Sequence, residues 1–330
     1  LRRIGNEIIV STVVSDVVMT IIVFIVSIKV NNSSVYDPYW SIIPIFIVAL
    51  WMFDLGYINI FSITATVGVF VWAYRLTRNW AIDFKGFEHE DFRYVDFRNR
   101  FGKLYWIISF LGIHLFPTLI VLASLFPILF VFTNGVTHEA FVYLGFIVMV
   151  VGALISFVSD AQLREHKKSG KKNSISHGLW KHSRHPNYFG EVFFWLGVFV
   201  TSLASEFIVL NALGFVGMLV LFNLYSVPKM EAKLLDIYSA AVYKRKGKQK
   251  DLENKITKMM AAETWLTAQE ALEFGFIDEI VKVGEKNIDM LPLQNSLNKF
   301  LNVPAALLNN TKKEDEMGSS ILENSCLFKF

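Results

Sequence analysis

Apolar residues run almost unbroken over 21–28, 42–53, 119–132 and 141–157, with polar residues gathered between the runs rather than alternating within them. Neither the two-residue period of a half-buried strand nor the stripe of a surface helix organises these runs. Their length predicts helices that cross a bilayer, each needing about 20 residues. Along the chain they place spans near 8–29, 42–57, 59–79, 104–132, 139–160, 188–204 and 206–227. The fourth carries Pro117 and Pro127 and is expected to kink or tilt, and the second and third form a hairpin. After Pro228 the runs stop, and 229–330 holds 15 Lys plus Arg against 15 Asp plus Glu, a water-facing composition.

The predicted fold class is all-α: a polytopic membrane helical bundle of about seven spans, followed by a small soluble tail. Composition agrees, because an apolar share of 53% in 330 residues exceeds that of ordinary soluble domains. A net charge of +3 gives no footing for nucleic acid as a partner. The single cysteine, Cys326, excludes an internal disulfide and a cysteine-based metal site, and no metal is expected. The linkers 75–103 and 164–184 are rich in Lys and Arg, whereas the loops near Gly56, Asn134 and Glu206 have none. Positive charge stays on the cytoplasmic side, so both linkers and the C-terminal tail are expected there, with the N-terminus outside. Arg2 and Arg3 then lie against the rule. The opening apolar segment is read as a retained helix rather than a cleaved signal.

The candidate chemistry gathers at Ser183 to Glu191, SRHPNYFGE. Pro186 suits the first turn of a helix, whose free amides then favour an anion, and Arg184 adds a fork for phosphate. Asn187 and Tyr188 bring hydrogen-bonding groups, and Gly190 permits close approach of a ligand or a helix. Glu191 puts a carboxylate one turn into an apolar span, which is costly unless paired or functional. Asp160 and Arg164 lie four apart on one helix face at the same basic loop. With Trp180, these residues predict a cytoplasm-facing pocket for a phosphate-bearing cofactor, with an apolar substrate entering from the lipid. The lysines of the linkers read as topological determinants. Asp16, Asp54 and His114 are ionisable groups within apolar runs, which makes them functional candidates.

The segments Gly178-Leu-Trp180, Ser183 to Glu191 and Ser159-Asp-Ala-Gln-Leu-Arg164 resemble the NADPH-binding C-terminal region of steroid 5-alpha-reductases and sterol reductases. They are closer to bacterial relatives of uncharacterised substrate, which also carry Trp72 to Trp80, His89 to Tyr94 and Phe110 to Pro117 in this order. The resemblance covers about 36–235 and implies a membrane enzyme that reduces an activated carbon–carbon double bond of a sterol-like, isoprenoid or other unsaturated lipid. It implies that Asp160, Arg164, Trp180, Arg184, His185, Asn187, Tyr188 and Glu191 bind or frame NADPH. The proton donor is left open among Tyr94, Tyr105, His114 and Tyr36, because the Tyr and Glu pair of the steroid enzymes finds no counterpart here. An S-adenosylmethionine-dependent methyltransferase of the isoprenylcysteine carboxyl type shares the Arg-His-Pro-x-Tyr pattern and is the alternative. A catalytically inactive fused membrane protein is the other.

This likeness assigns 1–235 to the membrane domain. From there, Leu252 to Met260 and Ala262 to Ile280 resemble the C-terminal part of Clp-type serine proteases, giving an α/β-like fragment at 236–285 and a disordered end at 286–330. Glu263 falls at or beside that family's acid. No histidine follows His185 and no glycine-rich serine segment is present, so the tail is expected to be proteolytically inert. A Clp-like protease partner is the only partner it suggests besides the bilayer and its lipids.

Overall fold

A computed structural model describes residues 2–169, 175, 177–205, 209–247, 251–261, 265–266, 268–277 and 328–329. It falls into two compact units, one of 1–165 with 183–225, the other of 166–182 with 226–330. The first unit holds helices α1 (Arg2–Val30), α2 (Tyr36–Asp54), α3 (Ile60–Asp83), α4 (Phe92–Phe101), α5 (Tyr105–Ile108) and α6 (Phe116–Asn134). It continues with most of α7 (Glu139–Lys168), then α8 (Pro186–Ser202) and α9 (Leu210–Leu221).

Local chemistry sets several of these boundaries. Asn59 caps α3 by accepting from the amides of Phe61 and Ser62, and the Ser62 hydroxyl returns to the Asn59 amide, a capping box. Within α1 the hydroxyls of the buried Thr20 and Ser27 donate to carbonyls four residues back, which satisfies polar groups enclosed in the bundle. The long fourth span is interrupted by a π-helical stretch, Ser109–Leu115, after which Pro117 stands in the first turn of α6. Pro lacks an N–H, and the change of helical ladder from π to α is a place where its missing bond is accommodated.

Among the described residues, six helical stretches are long and apolar enough to cross a membrane: Glu7–Val30, Ser33–Asp54, Ile60–Asp83, Phe92–Asn134, Glu139–Lys168 and Leu210–Lys246. The seventh expected span, 188–204, corresponds to α8, whose 17 residues fall short of the others. Bonds at both ends nonetheless hold α8 antiparallel to α7. Ser156 Oγ donates to the Asn187 carbonyl at 2.9 Å, and the amides of Thr137 and His138 donate to the Ala204 carbonyl at 2.8 and 3.0 Å. Between these ends the two helices approach through glycine. A Cβ on Gly145 or Gly152 of α7 would meet the carbonyls of Gly197 and Gly190 at 2.7 Å, and a Cβ on Gly190 would meet the Gly152 carbonyl at 2.6 Å. Small residues at a helix crossing let backbones touch, a packing suited to membranes. Gly190 thus admits a neighbouring helix.

The core of this unit is built on the buried indoles Trp51, Trp72 and Trp195, packed with Val48, Val69, Leu125, Met149 and Phe194. Large apolar side chains such as Phe46, Leu50, Phe53, Ile147 and Leu154 face outward, as a bundle surrounded by lipid requires.

The second unit contains α10 (Val227–Lys246), α11 (Leu252–Ala261) and α12 (Ala268–Phe274). Val242, Leu252, Ile256 and Met260 form its small core. The α/β-like character expected of the tail is limited, among the described residues, to a two-residue antiparallel pairing of Trp265–Leu266 with Phe328–Lys329. Glu263, Cys326 and, apart from Phe328–Lys329, the segment 286–330 lie outside the described residues.

Candidate functional site

The last turns of α3 and α7 and the first turns of α8 bring together four of the residues singled out in the sequence: Asp160, Arg164, Asn187 and Glu191. At their centre is Arg75, 5% exposed on α3. Its Nη1 donates to Asp160 Oδ2 at 2.9 Å, and its Nη2 is ion-paired with Glu191 Oε1. The sequence reading put Arg75 in a cytoplasmic linker; it is instead a buried helical residue and the cation for both carboxylates. Trp72, one turn earlier, donates its Nε1 hydrogen to Glu191 Oε2 at 2.8 Å. Asn79, one turn later, donates to Asp160 Oδ2 at 2.9 Å and accepts from Arg164 Nη1. Arg164 also approaches Asp83 at 3.8 Å. With Asp83 exposed at the rim, the two arginines balance the two buried carboxylates, Asp160 and Glu191, which makes their burial tolerable.

Sequence reasoning missed Trp72, Arg75 and Asn79. Their spacing of three and four residues puts all of them on one face of a helix, and that periodic polar face is the signal that could have found them. It also explains why Glu191 is tolerated in an apolar helix.

Besides Arg75 Nη2, which the ion pair with Glu191 engages, two buried polar atoms in this cluster have no hydrogen-bond partner, Arg75 Nε and Asn187 Oδ1. Asn187 stands in the first turn of α8, which His185 begins without a side-chain cap. Its Nδ2 reaches Asp160 Oδ1 at 3.4 Å. The Tyr188 ring lies over His185 with centroids 5.6 Å apart and against Phe222 at the same separation. Arg184 is exposed just before the helix. Trp180 belongs to the other unit, half-buried in the turn Gly178–Lys181.

The proton-donor candidates are engaged elsewhere. Tyr94 donates to Asp37 Oδ1 at 2.6 Å. Tyr105 donates to Glu90 Oε1 at 3.0 Å and meets Ser33 Oγ at 2.7 Å, with Arg98 over its ring at 4.1 Å. His114, held in the π-helical stretch, sits between Ser27 Oγ and the Ser109 carbonyl, each at 3.0 Å. Tyr36 meets Thr118 Oγ1 at 2.8 Å. None of these bonds joins the Arg75 cluster. Asp54 ends α2 at the surface.

Trp72→Phe keeps a ring stacked on Phe194, now 4.9 Å away, and removes only the indole donor to a buried carboxylate. The expected loss is about 1.5–3 kcal/mol. Trp195→Phe is the matched control, since Trp195 Nε1 is buried without a partner. Thermal unfolding in detergent should rank Trp72→Phe as the more damaging, and an equal effect would mean that the bond to Glu191 contributes nothing.

No grouping of three or more His, Cys, Asp or Glu side chains suited to a metal occurs among the described residues. Over 225–284 the chain is similar to the Clp protease family. No curated protein and no solved structure matches it. The larger match, over 23–249, is to the family described as protein of unknown function (DUF1295) and contains every residue of the Arg75 cluster. The segment 225–249 lies within both matches. With more than half its length in the larger match, this chain belongs to the DUF1295 family.

Proposed function

We propose that this chain is an NADPH-dependent membrane reductase of a carbon–carbon double bond in a sterol-like, isoprenoid or other unsaturated lipid, with a proteolytically inert tail on the cytoplasmic side. The observation that carries the reading is the start of α8, where amides without a side-chain cap and the orphaned Asn187 Oδ1 lie beside two carboxylates that Arg75 bridges and that Arg75 and Arg164 together balance. Such a site keeps acceptors and donors for a polar ligand while cancelling the carboxylates that would repel a phosphate. These features support a phosphate-bearing cofactor as the ligand.

In this reading Arg184 and Arg164 face phosphate oxygens together with the α8 amides, and Asn187 Oδ1 accepts a hydrogen bond from the ligand. Asp160 and Glu191 act through Arg75, fixing the ends of α3, α7 and α8 against one another. Tyr188, backed by His185 and Phe222, offers a flat wall. Trp180 enters only through the resemblance to the reductases. Bound NADPH supplies a hydride to one carbon of the double bond. A proton must reach the other carbon, and Tyr94, Tyr105 and His114 are the side chains proposed to provide it.

The test is binding of NADPH, with S-adenosylmethionine in parallel, to the detergent-purified full chain and its Arg184→Ala and Asn187→Ala variants. NADPH binding weakened about tenfold by Arg184→Ala, as for a lost charge-assisted bond, supports the reading. Selective S-adenosylmethionine binding would move the assignment to a methyltransferase, and binding of neither would leave a membrane protein without this cofactor chemistry.

A further inference from the structure

We infer that the connector after α3, Phe84-Lys85-Gly86-Phe87, lies in the headgroup layer of the bilayer and gathers acidic phospholipid there. Its depth follows from helix geometry. The rise along α3 from Ile60 to Trp80 is about 30 Å, the thickness of the hydrocarbon layer, so the residues that follow meet headgroups. Trp80, Phe84 and Phe87 form an aromatic row at that level, with successive centroids 5.0 and 5.2 Å apart. Gly86, at φ +95°, opens a turn that the His89 amide closes on its carbonyl at 3.2 Å. Phe84 is 41% exposed and Phe87 53%.

That exposure is fixed by the backbone. The buried Asn32 donates to the carbonyls of Phe87 and His89 at 2.6 and 3.1 Å, and the Ser33 amide donates to Glu90 Oε1 at 2.9 Å. The connector is thus pinned to the α1–α2 junction while its rings face outward. Charge selects the partner. Asp16, buried in α1, is answered within the bundle by the Tyr39 hydroxyl at 2.7 Å, but Lys85, between the two rings, has no hydrogen bond or ion pair among the described residues. Arg78, also exposed, meets only the Phe157 ring, at 5.5 Å. Of the nearby acids, Asp83 lies 3.8 Å from Arg164 and Glu88 is exposed. A phospholipid serves both parts, because its acyl boundary covers the rings and its phosphate receives the ammonium at the end of a stem that lies along them. An acidic headgroup adds a net negative charge that choline would cancel. The inference stands apart from the reductase reading, since it concerns the lipid around the bundle and neither NADPH nor the reaction.

The test places an environment-sensitive fluorophore on Phe87→Cys in a Cys326→Ser background, with the full chain in phosphatidylcholine vesicles. Nitroxides carried on the headgroups of added phosphatidylglycerol or phosphatidylcholine should quench it, and acrylamide in the water should quench it poorly. The phosphatidylglycerol nitroxide should bind about fivefold better than the phosphatidylcholine one, as for one lysine at an acidic surface. Lys85→Gln should remove that preference while leaving quenching by the phosphatidylcholine nitroxide unchanged. Should Lys85→Gln fail to fold, 1 M salt should abolish the preference in the chain that keeps Lys85, and a preference untouched by salt would overturn the inference. Quenching by acrylamide but not by lipid nitroxides, equal quenching by the two headgroups, or a preference that survives Lys85→Gln would overturn it equally.

Discussion

Replacing Arg75 by methionine is expected to lower the thermal unfolding midpoint of the detergent-solubilised chain by on the order of 10 °C. The substitution keeps an extended apolar stem and removes the cation shared by Asp160 and Glu191. Asp160 and Glu191 then lose the cation they share, with only Arg164 left near Asp160, and breaking a buried pair in this way costs about 3–5 kcal/mol. The triple variant Arg75→Met, Asp160→Leu, Glu191→Leu removes all three charges at once and should recover most of the loss, because an apolar replacement leaves no charge stranded. A single variant as stable as the parent, or a triple variant no better than the single, would show that the ion pairs do not hold α3 to α7 and α8.

The second large effect is expected at the α7–α8 contact. Alanine favours a helix over glycine by about 1 kcal/mol, so Gly→Ala should stabilise wherever a methyl group fits. At Gly68 the new carbon would meet Met149 Cε at 2.7 Å, the flexible end of a side chain that can turn away. At Gly190 it would meet the Gly152 carbonyl at 2.6 Å and the Ser156 amide at 2.8 Å, which are backbone. Gly190→Ala is therefore expected to destabilise by about 1–3 kcal/mol, and Gly68→Ala to be neutral or stabilising. Parallel thermal unfolding of the two variants makes the comparison, and equal effects would remove the argument for backbone contact.

Much of the membrane fold was readable because apolar runs report span length directly. The start of α8 was readable for the same kind of local reason, since Pro186 belongs in a first helical turn. The site was half readable. Asp160 and Glu191 stood out as carboxylates that an apolar helix does not tolerate alone, yet their partner lay on α3, 85 residues before Asp160. Charge statistics for linkers drew Arg75 into a loop, where a basic residue near the end of a span is ordinarily found. The π-helical turn that holds His114 leaves no local signal, because it depends on which neighbours the ring meets. The count of seven spans rested on length, and α8, at 17 residues, sits at the margin where length alone does not decide.

The buried pairing also orders events during synthesis. Trp72 emerges 119 residues before Glu191, and Arg75 emerges 85 residues before Asp160. A nascent chain that has released α3 but not yet α7 carries a guanidinium with neither of its carboxylates available. The bond network joining α3 to α8 can therefore close only once the eighth helix has begun to emerge, and the insertion machinery or the bilayer surface must accommodate Arg75 until then.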